Sequence, residues 1–447
     1  MTIQPHLINH FFFFDNPTEQ EEQDIHKHVI NFSLAQLVFI NRDNSLDLFH
    51  GNNFENSHLN YLVKNGTIRD FDDYSFVNQL NGKVYKKLGV KNKSIDTFLL
   101  NNIIDARRIL VAKDGLNLLP KAANRLIGRL LFISYLIDRD VKFSDQEVIK
   151  GITKEERKKA FRSIISNKDL IYKFFSYLTD KHNGEIFPLI EKDSSDNTIY
   201  NEYEIVNESH LNILSHLFNC ASFFQNGEKY ANYVVQRSLF DLYDFEVIPV
   251  ELISSIYETF IGKKSQNEKL EISKQQKIKA YYTPPYIVDY ILFQTVVPFL
   301  ENKYDTNCKV LDPACGSGIF LVETLRKIIE KEISITKKTI PDDRLWSLIK
   351  SNIYGIDIDA DAIDITIFSL YITILDYKKP AEIENFKFKN LKGENLFGGD
   401  DADFFNIDHE FNKKIKDLNF IVGNPPWGKV SKSRYVEYIN RRNLWIC

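Results

Sequence analysis

A carboxamide, two prolines and an indole, Asn424-Pro425-Pro426-Trp427, close a short apolar run, Asn419-Phe420-Ile421-Val422-Gly423. The run reads as a buried strand. Two prolines oppose its continuation, and Asn424, which precedes a proline, is pushed into extended backbone. Such a loop belongs at the carboxyl end of a strand, where open α/β sheets bind ligands. These residue types suit an exocyclic aromatic amine, a poor nucleophile because its lone pair is shared with the ring. The Asn424 side-chain oxygen and the Pro425 carbonyl can each accept one of its N–H groups. Two acceptors favour a pyramidal nitrogen whose lone pair points at an electrophile. Trp427 offers a flat face for the ring. By itself the same tetrapeptide also makes a strand end with a stiff turn, so the residues upstream decide.

Upstream, Lys309-Val310-Leu311-Asp312 reads as a strand and Pro313-Ala314-Cys315-Gly316-Ser317-Gly318 as a glycine loop, with a helix from Ile319 to Glu332. The glycines let a ligand approach the backbone closely. The helix N-terminus adds partial positive charge suited to a carboxylate. A dinucleotide loop would have its third glycine where Leu321 stands, so no pyrophosphate fingerprint results. Asp357 ends the next strand, where an acid can take both hydroxyls of a ribose. It comes later than the usual spacing of about 20 residues, and an inserted helix over Asp342 to Lys350 accounts for the delay. Cys315 invites a nucleophile reading, but amine chemistry needs no covalent adduct, and we read it as a small buried loop residue.

These motifs together resemble the adenine-N6 DNA methyltransferases, in the γ-type order of type I and fused type II restriction-modification enzymes. The resemblance spans about 280–430, through Tyr282-Thr283-Pro284, then Asp312-Pro313-Ala314-Cys315-Gly316-Ser317-Gly318 with Phe320-Leu321, then Asp357-Ile358, then Asn424-Pro425-Pro426-Trp427. It implies S-adenosyl-L-methionine as cofactor. Asp312, Gly316 and Gly318, with Pro313 and Ala314 in the same loop, would surround the methionine part, and Tyr282, Thr283 and Pro284 would cover it. Asp357 would hold the ribose, Ile358 would pack on the adenine ring, and Glu394 or Asn395 would read the adenine amine. Asn424, Pro425, Pro426 and Trp427 would form the catalytic loop. The implied substrate is double-stranded DNA with the target adenine flipped out. Asn-Pro-Pro-aromatic loops also resemble those of protein-glutamine and ribosomal methyltransferases. Those are compact, with tyrosine after the prolines, so the long preceding region and Trp427 favour DNA.

The expected fold class is α/β: a Rossmann-like methyltransferase sheet of about four parallel strands, preceded by a mixed α/β region over 1–100 and a mainly helical region over 101–275. The methyltransferase part occupies 276–447. Its strands are 309–312, 352–356, 386–391 and 419–422, with helices 286–296 and 360–375. The family sheet has about seven strands. The chain is therefore expected to lack the later strands and any target-recognition domain. It reads as truncated after the Asn-Pro-Pro-Trp motif: an inactive or split fragment needing a downstream partner polypeptide, with the fourth strand an apolar edge prone to association.

In the first region Glu19 to Ile30 reads as a helix, and Leu34 to Ile40 and Ser45 to Phe49 as strands joined by a hairpin at 41–44. Helices are expected at 125–137, 156–165, 169–178 and 210–224. The stretch 245–261 brings a Pro and then a helix with Leu252, Ile253, Ile256, Tyr257 and Phe260 on one face. A polar loop is expected at 192–197 and an exposed linker at 262–276. Glu156-Arg157-Lys158 and Glu301-Asn302-Lys303 have the spacing of a nuclease motif but lie on no strand beside a suitable Asp, and we read them as solvated charges.

At 447 residues, 43% hydrophobic and 26% charged, the chain has material for two or three domains. A net charge of −4 gives no global basic field, which leaves a local DNA-reading face open. Cys220, Cys308, Cys315 and Cys447 form no Cys-x-x-Cys pair, so no metal site or disulfide framework is read, and a reduced, cytoplasmic protein is expected. The sequence shows no membrane span and no targeting peptide.

Overall fold

The computed structural model describes residues 10–32, 35–55, 58–67, 95–113, 115–182, 188–192, 195–219, 283, 285–399, 401–406 and 408–424. The expected helix within 245–261, the linker at 262–276, Tyr282, Pro284, Pro425, Pro426, Trp427 and the tail lie outside these residues. Two compact units result: Met1–Asn117, Leu130–Arg139 and Glu208–Ile248 in the first, and Leu118–Arg129, Asp140–Asn207 and Pro249–Cys447 in the second.

In the first unit, β1 (His10–Asp15), β2 (Ala35–Arg42), β3 (Ser45–Glu55) and β4 (His58–Gly66) form one sheet in that order, with α1 (Glu19–Phe32) between β1 and β2 in the chain. The β2–β3 hairpin closes with Arg42 opposite Ser45, so Asp43 and Asn44 make the turn. Arg42 bonds both Glu22 and Asp47 and ties helix to sheet. Helix α2 (Ile95–Val111) follows.

Helix α3 (Pro120–Asp138) is apolar and buried over almost its whole length. In the second unit, α4 (Lys154–Ile164) starts with a capping box in which Thr153 accepts from Glu156 N and the Glu156 carboxylate accepts from Thr153 N. That role explains Glu156 without a metal. Helix α5 (Lys168–His182) packs Phe174 edge-on to Phe143. The stretch expected as a polar loop at 192–197 joins β5 (Ile190–Lys192) to β6 (Thr198–Asn201), an antiparallel hairpin. Glu202, at the start of α6 (Glu202–Ile205), is wholly buried and accepts from Arg129, Tyr172 and Tyr200. Returning to the first unit, α7 (Glu208–Phe218) packs on α2; the expected helix ran to residue 224, and its continuation past 219 lies outside the described residues.

The expected helix at 286–296 divides into α8 (Pro285–Gln294) and α9 (Val296–Glu301). Pro298 has no N–H for the carbonyl of Gln294, so the first helix cannot run through it. Strand β7 (Val310–Asp312), α10 (Ile319–Thr336), α11 (Asp342–Asn352), β8 (Ile353–Asp357) and α12 (Ala360–Asp376) follow as expected, including the inserted helix. After α13 (Pro380–Ile383) come β9 (Leu396–Gly398), α14 (Phe411–Lys414) and β10 (Phe420–Ile421). The sheet order is β10-β7-β8-β9, and every pair is parallel. The chain is thus α/β with a four-stranded parallel sheet among the described residues.

Helices α10 and α12 cover one face of this sheet. On the other, Leu311, Tyr354, Ile356 and Phe397 pack against Ala402 and Phe411 of the connection between β9 and β10. Gly355 faces α10, and a Cβ there would crowd Leu321 and Cys315.

The third strand is not at 386–391. Phe386 and Phe388 are buried and alternate with exposed Lys387 and Lys389, the period of a strand. The segment nonetheless joins no ladder. Its backbone is satisfied by Phe388 N donating to His182 O, by the His182 ring on Phe386 O and by the Tyr371 hydroxyl on Lys389 O. Its rings stack on α11 and α12, Phe386 on Trp346 and Phe388 on Tyr371, the latter at 4.4 Å between centroids. Period-two burial arises here because an extended segment lies across helices. The actual third strand, Leu396-Phe397-Gly398, is too short to show a period.

No helix among the described residues is long and apolar enough to cross a membrane.

Candidate active site

The carboxyl ends of β7, β8 and β10 converge on the glycine loop. Asp312 ends β7, and its Oδ1 accepts from Ala314 N at 3.1 Å, closing a tight turn through Pro313. Cys315 N donates to Ile356 O at 3.0 Å and pins the loop to β8. Gly316 and Gly318 have φ of +53° and +86°, a region that L side chains rarely enter. A Cβ at 318 would also run into Thr366 of α12. Thr366 donates its hydroxyl to Gly316 O at 2.8 Å, so one residue fixes both glycines.

Asp357 ends β8. Its Oδ2 accepts from Gly316 N at 2.9 Å and its Oδ1 from Asp359 N at 2.8 Å. Burial pushes the Asp312 carboxyl up to about 7, and the nearby Asp357 charge adds to the rise. Burial raises Asp357 as well, against the two amides that favour its charge. Two carboxyls taken from water beside one loop, each with lone pairs to spare, call for cations or hydroxyl donors. Burial also raises the Cys315 thiol well above its ordinary value. A buried protonated thiol is no nucleophile, in line with a packing role.

Ile358, one residue past β8, is 62% exposed, an apolar side chain set out at the sheet's carboxyl edge. Gly423 follows β10, and a Cβ there would overlap the Oδ1 and Cγ of Asp312. Asn424 comes next, and its Nδ2 donates to Thr283 Oγ1 at 3.1 Å, across 141 residues of sequence. The structure therefore gathers Thr283, Asp312, Pro313, Ala314, Gly316, Gly318, Asp357, Ile358 and Asn424 around one sheet edge.

Glu394 and Asn395 stand apart from that edge, in the turn before β9. Glu394 is exposed and pairs with Lys414. Asn395 is buried, and its Nδ2 donates to Lys350 O and Ile353 O, fastening the turn to the amino end of β8. Strand β9 ends at Gly398, and Gly399 follows it.

Two contributors carry no signal in the sequence. Thr366 lies in the apolar run of α12, and only the fold brings it beneath the loop. Gly423 reads as a strand end until the Asp312 carboxyl is seen against it.

Residues 300–438 match the model of the MmeI DNA-methyltransferase domain. The match takes in the glycine loop, Asp357 and Asn424. Among curated proteins, the chain is 27% identical over 219 residues to the type II restriction enzyme and methyltransferase RM.Eco57I of Escherichia coli, covering 41% of this chain and 22% of that protein. It is 22% identical over 326 residues to the putative type II restriction enzyme and methyltransferase RM.MjaORFECS2P of Methanocaldococcus jannaschii, covering 57% of this chain and 25% of that one. The chain thus spans a quarter or less of the length of these relatives. Among solved structures, the type IIL restriction-modification enzyme MmeI in complex with DNA superposes with a TM-score of 0.42 and 16% identity over 74% of this chain and 43% of that chain.

Proposed function

We propose that this chain carries the methyl-donor site and the amine-orienting loop of a restriction-modification DNA methyltransferase, which uses S-adenosyl-L-methionine to methylate adenine N6 at specific sites on double-stranded DNA in the cytoplasm. The observation that carries the reading is the convergence of Asp312, the positive-φ glycines, Asp357 and Asn424 on one sheet edge. The match of 300–438 to a DNA-methyltransferase domain supports DNA as the substrate class, as do relatives that are restriction enzymes and methyltransferases.

The site fits the cofactor chemically. Its two burial-raised carboxyls suit a ligand with positive charge and ribose hydroxyls, and exposed Ile358 suits an aromatic ring. When bound, the cofactor supplies an electrophilic methyl on a sulfonium. Asp312 and the loop amides would hold its amino-acid end, Asp357 its ribose and Ile358 its adenine. Asn424 and Pro425 would accept the N–H groups of the flipped target adenine, and Trp427 would stack on it. Positioning provides most of the acceleration in such a transfer.

The test is transfer of a labelled methyl from S-adenosyl-L-methionine to unmethylated DNA, with Asn424→Ala as control. The assay is run with the chain alone and with a downstream polypeptide, the partner expected from the sequence. Label appearing as N6-methyladenine and vanishing in the variant supports the reading. Label found only with the added polypeptide identifies this chain as one part of a split enzyme. Failure in both arms overturns the reading.

A further inference from the structure

We propose that Thr283 is a positioning residue that sets the orientation of the Asn424 amide, a role that rests on the proposed methyltransferase function. A primary amide is planar, with its oxygen and nitrogen on opposite sides of the terminal carbon. With Nδ2 directed at the Thr283 hydroxyl at 3.1 Å, Oδ1 is held on the opposite side. An amide turned the other way would present N–H groups to the substrate amine, which is itself a donor, and transfer would fail. The reaction needs the oxygen on the substrate side, and in the structure the Thr283 hydroxyl accepts from Nδ2, which anchors the amide in that arrangement.

Both partners of the bond are unusually constrained. Thr283 precedes Pro284-Pro285 and Asn424 precedes Pro425-Pro426, so a following proline narrows the backbone of each. Thr283 is buried, which shields the bond from competing water. Asn424 is held from the other side as well: Val422 N donates to Leu311 O at 2.9 Å, and Gly423 lies against the Asp312 carboxyl. The bond to Thr283 then acts on the amide's own rotation. Thr283 lies two residues before the start of α8, so the residues leading into that helix and the loop after β10 are joined through this side-chain pair. A residue expected only to cover the cofactor thereby reaches the group that aligns the acceptor.

The test compares Thr283→Val, which keeps the shape and removes the hydroxyl, with Thr283→Ser, which keeps the hydroxyl. In the wild-type chain, 15N-asparagine labelling should show the two Nδ2 protons of Asn424 well separated in shift, one of them hydrogen-bonded. The separation should shrink in the Val variant and persist in the Ser variant. In methyl transfer, kcat should fall about tenfold or more in Thr283→Val, stay within about threefold of wild type in Thr283→Ser, and fall more than KM for S-adenosyl-L-methionine rises. A raised KM with unchanged kcat in the Val variant would show a cofactor-covering role alone and overturn the proposal. Unchanged Asn424 proton shifts in the Val variant would overturn it independently of any assay. A wild-type chain that transfers no methyl, with or without the downstream polypeptide, overturns the methyltransferase function, and the positioning role with it.

Discussion

A methyl group added at residue 423 would land on the carboxyl of Asp312. Neither side can yield easily, because Asp312 is fully buried with an oxygen on Ala314 N, and β10 is in register with β7. Gly423→Ala should therefore destabilise the chain by about 1–3 kcal/mol and weaken S-adenosyl-L-methionine binding, read by denaturant melts and calorimetric titration. Wild-type affinity in this variant would show that the contact does not shape the site. Thr366→Val tests the other hidden support. It keeps the volume under Gly318 and removes the bond to Gly316 O, so it should cost about 1 kcal/mol and lower cofactor affinity. Asp312, Gly316, Gly318, Asp357 and Asn424 were legible because each has a chemical type that its position demands. Thr366 and Gly423 were not, because their roles exist only in contacts between segments distant in sequence.

Helices α10, α11 and α12 were legible because their apolar spacing is sustained over three or more turns, a pattern that neither a strand nor a loop produces at that length. Segment 386–391 shows where the same logic fails. Two buried phenylalanines alternating with lysines satisfy a strand's pattern, but the partners are Trp346 and Tyr371 on helices rather than a neighbouring strand. A short alternation says which side is buried and not what covers it. If these rings seal α12 as the structure shows, Phe386→Ala should cost about 3–5 kcal/mol, while Lys387→Ala on the opposite side should cost under about 1 kcal/mol. Equal effects in urea melts would contradict the packing. The buried cluster around Glu202 offers a second element-level test. Glu202→Gln removes the buried carboxylate that pairs with Arg129, and the loss should reach about 3–5 kcal/mol.

The molecule as a whole should show opposing pH dependences with one separable component. His26, His182 and His210 are held below the ordinary value of 6.5 by burial. The native chain then binds fewer protons at these rings than the unfolded chain, so their contribution to stability rises as pH climbs towards 6.5 and is lost on acidification. Asp312 acts in the other direction. Burial lifts its carboxyl from 3.8 to about 7, so between those values the native state holds a proton that the unfolded state has released. Its stabilising contribution is complete below 3.8 and is lost as pH rises to about 7. Asp312→Asn removes this component and keeps the acceptor for Ala314 N. The variant should gain stability relative to wild type steadily from pH 4 to 7 and hold a constant advantage above 7, measured by urea denaturation at four pH values. A difference that does not vary with pH would mean that Asp312 is not the buried acid described. The same variant should bind S-adenosyl-L-methionine more weakly at pH 8, where the wild-type carboxylate is charged. On the proposed function this buried carboxyl serves a cationic ligand at a cost in fold stability, so its removal should leave a sturdier chain that binds less well.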